Sequence, residues 1–461
     1  MGGITNVVEF LESDLADLVE QRGVPGAAIA VLVGDAIVDR AAGVLSRSNG
    51  IAATPDSVFQ IGSITKIWTT TLVMQLVDDG LLDLDSPIVN YLPGFSTSDA
   101  TATGLITARM LLSHTAGFEG DLFLDTGNGP DAVQKFVTAI VPVTQLCPPG
   151  ELFSYNNTAF SLLGAVIENL RGAPYEQVLI DRIVTPLALT HVAPSAYEAV
   201  LHGAAVGHIT GADGTQASSP KWALARSNEP AGAMLAMRPR DLVTFARMHI
   251  DGGVAADGTR ILSAASVAAM KTPHVDLPAI GMNADHWGLG WQLTDTSAGP
   301  MVSHDGGTIG QSAFLRVLPE RNIAVALLTN GGDAGGLFVD VVARVLRELA
   351  GVELAPRPTP PSDSRTVDAS AYVGSYSDTI YDIRISQAED GRVWLDRVPK
   401  DILAEIGEQP LRSELAHLDG SSFIQVEGSL GVHPVYAFVG DDAAGHAKYI
   451  HYGRVIAYAG P

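Results

Sequence analysis

The chain has 461 residues, 46% of them hydrophobic and 17% charged, with a formal net charge of −23 and one cysteine, Cys147. That length supports two or three domains around a large core. The acidity argues against a nucleic-acid partner, which needs a basic face, and a lone cysteine excludes an internal disulfide. No apolar run approaches the length that spans a bilayer, so no membrane partner is expected. The first nineteen residues carry Glu9, Glu12, Asp14 and Asp17 and lack both the basic stretch and the apolar core of a secretory signal. A cytoplasmic location is therefore expected; the oligomeric state is not legible.

Residues 4–22 read as an amphipathic helix. The apolar runs 27–33 and 36–44, joined by Gly34-Asp35, predict a hairpin. A helix over 64–79 follows, apolar nearly all round and so expected to be buried, with Gly80 as its stop. Residues 81–200 mix helical patterns, among them 159–171, with loops rich in Gly, Pro and Thr. Helices are predicted over 240–250 and 263–271. Strands are predicted over 314–318 and 323–328, then a helix over 337–349 stopped by Gly351. Pro356, Pro358, Pro360 and Pro361 mark a linker. Beyond it, short alternating segments such as 381–385 and 393–395 predict a small antiparallel β-domain. The expected division is a catalytic domain 1–353, a linker 354–366 and a β-domain 367–461.

Three short motifs carry chemistry. Ser63-Ile64-Thr65-Lys66 opens the buried helix, so the serine and the lysine share a face. A serine hydroxyl needs a neighbour to take its proton, and burial favours the neutral form of a lysine that would do so. A second Ser-x-x-Lys, at Ser218 to Lys221, contains Pro220 in a polar, turn-rich stretch and is discarded. Tyr155-Asn156-Asn157 precedes the 159–171 helix and offers a phenol and an amide. Such a phenol shuttles protons where adjacent cations lower its pKa. Ser303-His304-Asp305-Gly306-Gly307 precedes the 314–318 strand; glycines at a strand edge admit close backbone approach. Taken singly, each motif has a bland alternative: a helix cap, a buried tyrosine, a tight turn with a solvated histidine.

Together, in this order, the motifs resemble those of the serine β-lactamase and penicillin-binding protein superfamily: Ser-x-x-Lys, Tyr-x-Asn, then Lys-Thr-Gly. Here the third motif is His304-Asp305-Gly306, similar to the His-x-Gly form of the esterase, D-aminopeptidase and peptide-cyclase branches. Leu111 to Gly117 is also typical of the superfamily, and His114 within it is expected to be scaffold. The resemblance implies an α/β (α+β) transpeptidase fold, with an antiparallel sheet and a helical subdomain, followed by a lipocalin-like β-domain.

It also implies roles. Ser63 is the nucleophile, Lys66 and Tyr155 relay its proton, and the N–H groups of Ser63 and Gly307 form the oxyanion hole beside Gly306. Asn157 positions the acyl chain and supports Lys66, and His304 donates a hydrogen bond near Tyr155 or to a substrate carboxylate. Glu229-Pro230-Ala231-Gly232 resembles the cleft-lining segment of relatives, which puts Glu229 and Gly232 at the substrate. Arg454, in the β-domain, is a candidate clamp for a peptide carboxylate.

The specific expectation is a standalone penicillin-binding-protein-type thioesterase that cyclises a nonribosomal peptide delivered by a peptidyl carrier protein. The alternative is an esterase or D-aminopeptidase (amidase). A reading of another class, an inactive scaffold or sensor, is disfavoured by three intact motifs. The histidines lack metal-ligand spacing and there is no thiol cluster, so no metal or cofactor is expected.

Overall fold

The computed structural model describes residues 2–461 apart from 212–213, 283, 363–365, 406–407 and 443–444. Part of the expected linker, 363–365, thus lies outside the described residues. Helix α1 (Gly2–Gln21) leads into β1 (Gly26–Val33), which turns at Gly34, φ +57°, into β2 (Ala36–Gly43). A positive φ at that turn suits glycine, which has no Cβ to clash. Strands β3 (Val275–Asp276), β4 (His286–Trp287), β5 (Gln292–Thr296), β6 (Gly299–Gly307), β7 (Ser312–Leu318) and β8 (Ile323–Thr329) complete an antiparallel sheet in the order β2-β1-β8-β7-β6-β5-β4-β3.

Successive residues of a strand point to opposite faces, so a sheet covered on both sides reads as a continuous apolar run. In β1, Ala27, Ile29 and Val31 pack on one face against α1 and the helical run 334–350. Ala28, Ala30 and Leu32 pack on the other face, against the larger core. That core is built around α2 (Thr65–Asp78), α3 (Asn157–Arg171) and α4 (Pro239–Ile250). Trp68 of α2 stacks on Phe245 of α4 at 3.9 Å.

Two expectations need correction. Ser63 does not lie on the α-helix; it occupies a 3-10 turn, Gly62–Ile64, that leads into it. His304, Asp305 and the two glycines do not form a turn. They end the nine-residue strand β6, which pairs with β7 through Val302–Gly307 but with β5 only through Gly299–Ser303, so 304–307 keep one side free of a strand, as glycines at a strand edge were expected to. Gly299, Pro300, Gly306 and Gly307 hide this strand from propensity, while pairing with β7 along 302–307 secures it.

The predicted β-domain is a closed eight-stranded barrel running from Gly374–Ser377 to Val455–Gly460. It docks on the larger body through the turn after its seventh strand, Ala447–His451. Tyr155 N–H donates to Gly453 O (2.9 Å), a His451 ring N–H donates to Phe153 O (2.6 Å), and Val455 N–H donates to Ser154 Oγ (3.1 Å). Among the described residues no helix is long and apolar enough to cross a membrane.

Candidate active site

Three glycines bring backbone against the Ser63 turn. A Cβ on Gly62 would stand 2.6 Å from Gly307 N, and one on Gly232 would stand 2.9 Å from Ser63 N. One on Gly306 would collide with the Ile61 carbonyl. β6 and the 226–232 turn therefore close on Ser63 without side chains between. The Ser63 and Gly307 amides share one small volume, as two donors to an oxyanion must. Gly306→Ala is expected to prise β6 from the Ser63 turn and slow acylation by about a hundredfold, the loss of one oxyanion donor. Stopped-flow acylation with an activated ester measures this; an unchanged rate would remove Gly306 from the site.

Lys66 is fully buried at the start of α2. Its Nζ donates to Ser63 Oγ at 3.0 Å and to Ala231 O at 2.6 Å, and lies 5.0 Å from the centre of the Tyr155 ring. Burial, with help from the nearby Arg454 cation, pushes its ammonium well below the ordinary lysine range. A neutral amine held against a serine hydroxyl is a competent base.

Tyr155 is hydrogen-bonded to Ser63, and Arg454 lies over its ring at 5.1 Å. Its phenol nevertheless moves upward: burial outweighs both the Ser63 bond and the Arg454 charge. The expectation that cations lower it is thus not met. Tyr155 rests as a neutral phenol, able to donate a proton, and Lys66 is the resting base. His114 stacks on the other side of Tyr155 at 4.4 Å, and its Nδ1 accepts from Asn156 N–H. Trp287, the last residue of β4, packs edge-on to Tyr155, His114 and His304.

His304 is buried, and its Nδ1 pairs with the Asp305 carbonyl at 2.6 Å. A carbonyl only accepts, so Nδ1 carries the proton. Burial, then Lys66, lowers the imidazolium to about 4, so near neutrality Nε2 holds a lone pair. His304 is therefore an acceptor at that nitrogen, in place of the expected donor. Asp305 faces away and pairs with the buried Arg316.

Arg454 reaches the site from the barrel, as the sequence allowed, but its guanidinium is paired with the buried Asp121. Asn157 Nδ2 donates to the same carboxylate at 2.6 Å, so Asp121 gathers the residue expected to support Lys66 and the barrel arginine. Asn156, not Asn157, caps α3, accepting from Ala159 N–H at 2.7 Å. Glu229 is corrected too. Gly232 abuts Ser63, but the Glu229 side chain is buried beside Arg226 and Glu176, where burial raises its carboxyl to about 8.

The structure thus gathers Ser63, Lys66, Tyr155, His304, Gly232, Gly306, Gly307 and Arg454, sets Asn157 behind Asp121, and turns Glu229 away. Asp121, Trp287 and the Ala231 carbonyl were not foreseen. Trp287-Gly288-Leu289-Gly290-Trp291 offered a signal in its spacing of aromatics and glycines; Asp121 offered none. Among the described residues no group of His, Cys, Asp and Glu is arranged to hold a metal ion.

The profile of the Beta-lactamase family matches residues 11–347. Penicillin-binding protein 4 of Amycolatopsis lactamdurans is 44% identical over 358 residues, covering 77% of this chain and 94% of that one. The crystal structure of SurE superposes with a TM-score of 0.80 at 30% identity, covering 99% of each chain, and SurE with D-Leu superposes at 0.78 and 29%. The D-amino acid amidase of Ochrobactrum anthropi SV3, complexed with D-phenylalanine, is 25% identical with a TM-score of 0.63. That likeness covers 75% of this chain and 99% of the amidase.

Proposed function

The chain belongs to the beta-lactamase family of serine hydrolases, and from that premise we propose that it is a penicillin-binding-protein-type thioesterase. It takes a peptide from a carrier-bound thioester onto Ser63 and releases it as a ring. The supporting observation is the barrel. It contributes Arg454 to the wall around Tyr155, and the likeness to SurE runs through it, over 99% of both chains. The D-Leu held by SurE and the likeness to a D-amino acid amidase support a D-configured residue in the acyl donor.

In the first step Ser63 Oγ attacks the thioester carbonyl while Lys66 Nζ accepts its proton. The Ser63 and Gly307 amides hold the oxyanion, the C–S bond breaks, and the carrier thiol leaves with a proton returned through Tyr155 or Lys66. In the second step the peptide's own amine attacks the Ser63 ester. Lys66 takes the amine proton and Ser63 Oγ leaves with it restored. No water is consumed.

The runner-up is a D-aminoacyl amidase or esterase, in which water takes the place of the amine; the likeness to the amidase favours it. Incubation with a linear peptide thioester ending in a D-residue separates the two readings. Cyclic product is the expected result. Free acid alone would establish the hydrolase, and absence of both with Ser63 unlabelled by a fluorophosphonate would leave a scaffold.

A further inference from the structure

The turn that holds Lys66 contains a buried acid with a poor set of partners. Glu229 is 5% exposed. Its nearest cation is Arg226, Nε to Oε1 at 3.2 Å, in the same turn. That guanidinium is committed elsewhere: Nη2 to Glu176 at 2.5 Å and Nη1 to the Asn128 carbonyl at 2.8 Å. The other titratable groups facing Glu229 are Tyr175 and Glu176 of helix Tyr175–Leu179, Glu168 of α3, and Glu198 of helix Ala196–Ala199. Glu176 and Glu229 thus share one guanidinium, with Glu168 and Glu198 adding repulsion, and Glu168 and Glu229 are shielded from water.

Of the three residues after Glu229, Ala231 and Gly232 touch the site and Pro230 holds the helix that carries Lys66. The Pro230 carbonyl accepts from Thr69 Oγ1 at 2.7 Å, and Thr69 in turn bonds Tyr175 Oη at 2.7 Å. The Ala231 carbonyl accepts from Lys66 Nζ, and Gly232 packs on Ser63 N. Glu229 is thus two residues along the chain from the carbonyl that holds the base.

We propose that Glu229 is a positioning residue for Lys66: its uncharged carboxyl keeps the 229–232 turn seated, and its ionisation beside Glu176 withdraws the Ala231 carbonyl from the lysine. The carboxyl lies at about 8, raised first by burial and then by Glu176, so the switch falls inside the working range of an enzyme. The proposal rests on the reading of Lys66 as the base for Ser63.

The test compares wild type with Glu229→Gln, which keeps the shape and removes the charge. Fluorophosphonate labelling of Ser63 is timed between pH 6 and 10. Wild type should slow by about thirtyfold between pH 7 and 9.5, tenfold per unit beyond the carboxyl. The variant's ratio between those two pH values should stay within about threefold, since it has no group to ionise there. An equal alkaline fall in both proteins overturns the proposal, as does a variant slowed equally at every pH, which marks a purely structural role. Thermal melts give an independent check. A carboxyl raised in the folded state contributes stability below its unfolded value that is lost as pH rises through the folded one. The melting temperature of wild type should therefore fall relative to the variant between about pH 5 and 8 and then run parallel to it. A constant gap across that window overturns the buried-acid assignment. If wild type is unlabelled at all pH values, the Lys66 reading itself fails, and the melts still report on Glu229.

Discussion

Ser63→Ala should fold as wild type and lose turnover by a factor on the order of 10⁵ or more, the scale seen when a serine nucleophile is removed. Among the described residues the Ser63 hydroxyl bonds groups of the site, Lys66 and Tyr155, so its loss leaves the sheet and helices untouched. Melting temperature and circular dichroism should be unchanged, and no acyl adduct should appear by mass spectrometry. Lys66→Met should cost less, on the order of 10³, because a general base contributes about 10² to 10⁴. The oxyanion amides and the substrate contacts remain in both variants. A Ser63→Ala protein that still turned over at the wild-type rate would show that the acyl group travels by another route.

Arg454→Ala should be the most damaging single change in the barrel. Asp121 is 3% exposed and Arg454 is its cation. Breaking a buried pair by removing one partner costs about 3 to 5 kcal/mol, because the remaining charge is stranded. Arg454 keeps 31% side-chain exposure, and water screens part of the loss, which puts the expected figure at about 2 to 3 kcal/mol. The same change takes the guanidinium off the Tyr155 ring and frees Asp121 to move Asn157. Turnover should therefore fall with stability. The double variant Arg454→Ala, Asp121→Ala should recover most of the stability, because no stranded charge remains, and little of the activity. Urea melts and initial rates on the three proteins give the comparison. Full recovery of activity in the double variant would mean that Arg454 serves only to neutralise Asp121.

What the sequence disclosed follows from which forces are local. The β1–β2 hairpin and α2 were visible because apolar runs, glycine stops and turn residues sit within a few positions of each other. Ser63, Lys66 and Tyr155 were visible because their chemistry is written in spacing. β6 was not, since its glycines and Pro300 suppress strand propensity although its partners β5 and β7 flank it in the chain. The upward movement of the Tyr155 phenol was also hidden: the cations beside it were foreseen, but the extent of its burial is a property of the packed core. For the same reason Glu229 read as a cleft residue. Its neighbours in sequence line the site, and only the packing of Glu176 and Arg226 draws its side chain away. Asp121 had no signal at all, because its meaning comes from Arg454, 333 positions later.

That separation sets an order of assembly. A ribosome releases Ser63, Lys66 and Tyr155 long before it releases the strand that carries Arg454. The early segments are able to fold around their own core, yet the wall over Tyr155 stays open and Asp121 stays unanswered until the barrel forms. Long-range contacts of this kind are made late and slowly. A chain interrupted anywhere before the barrel would hold Ser63, Lys66 and Tyr155 with Asp121 lacking its cation and no guanidinium over the Tyr155 ring.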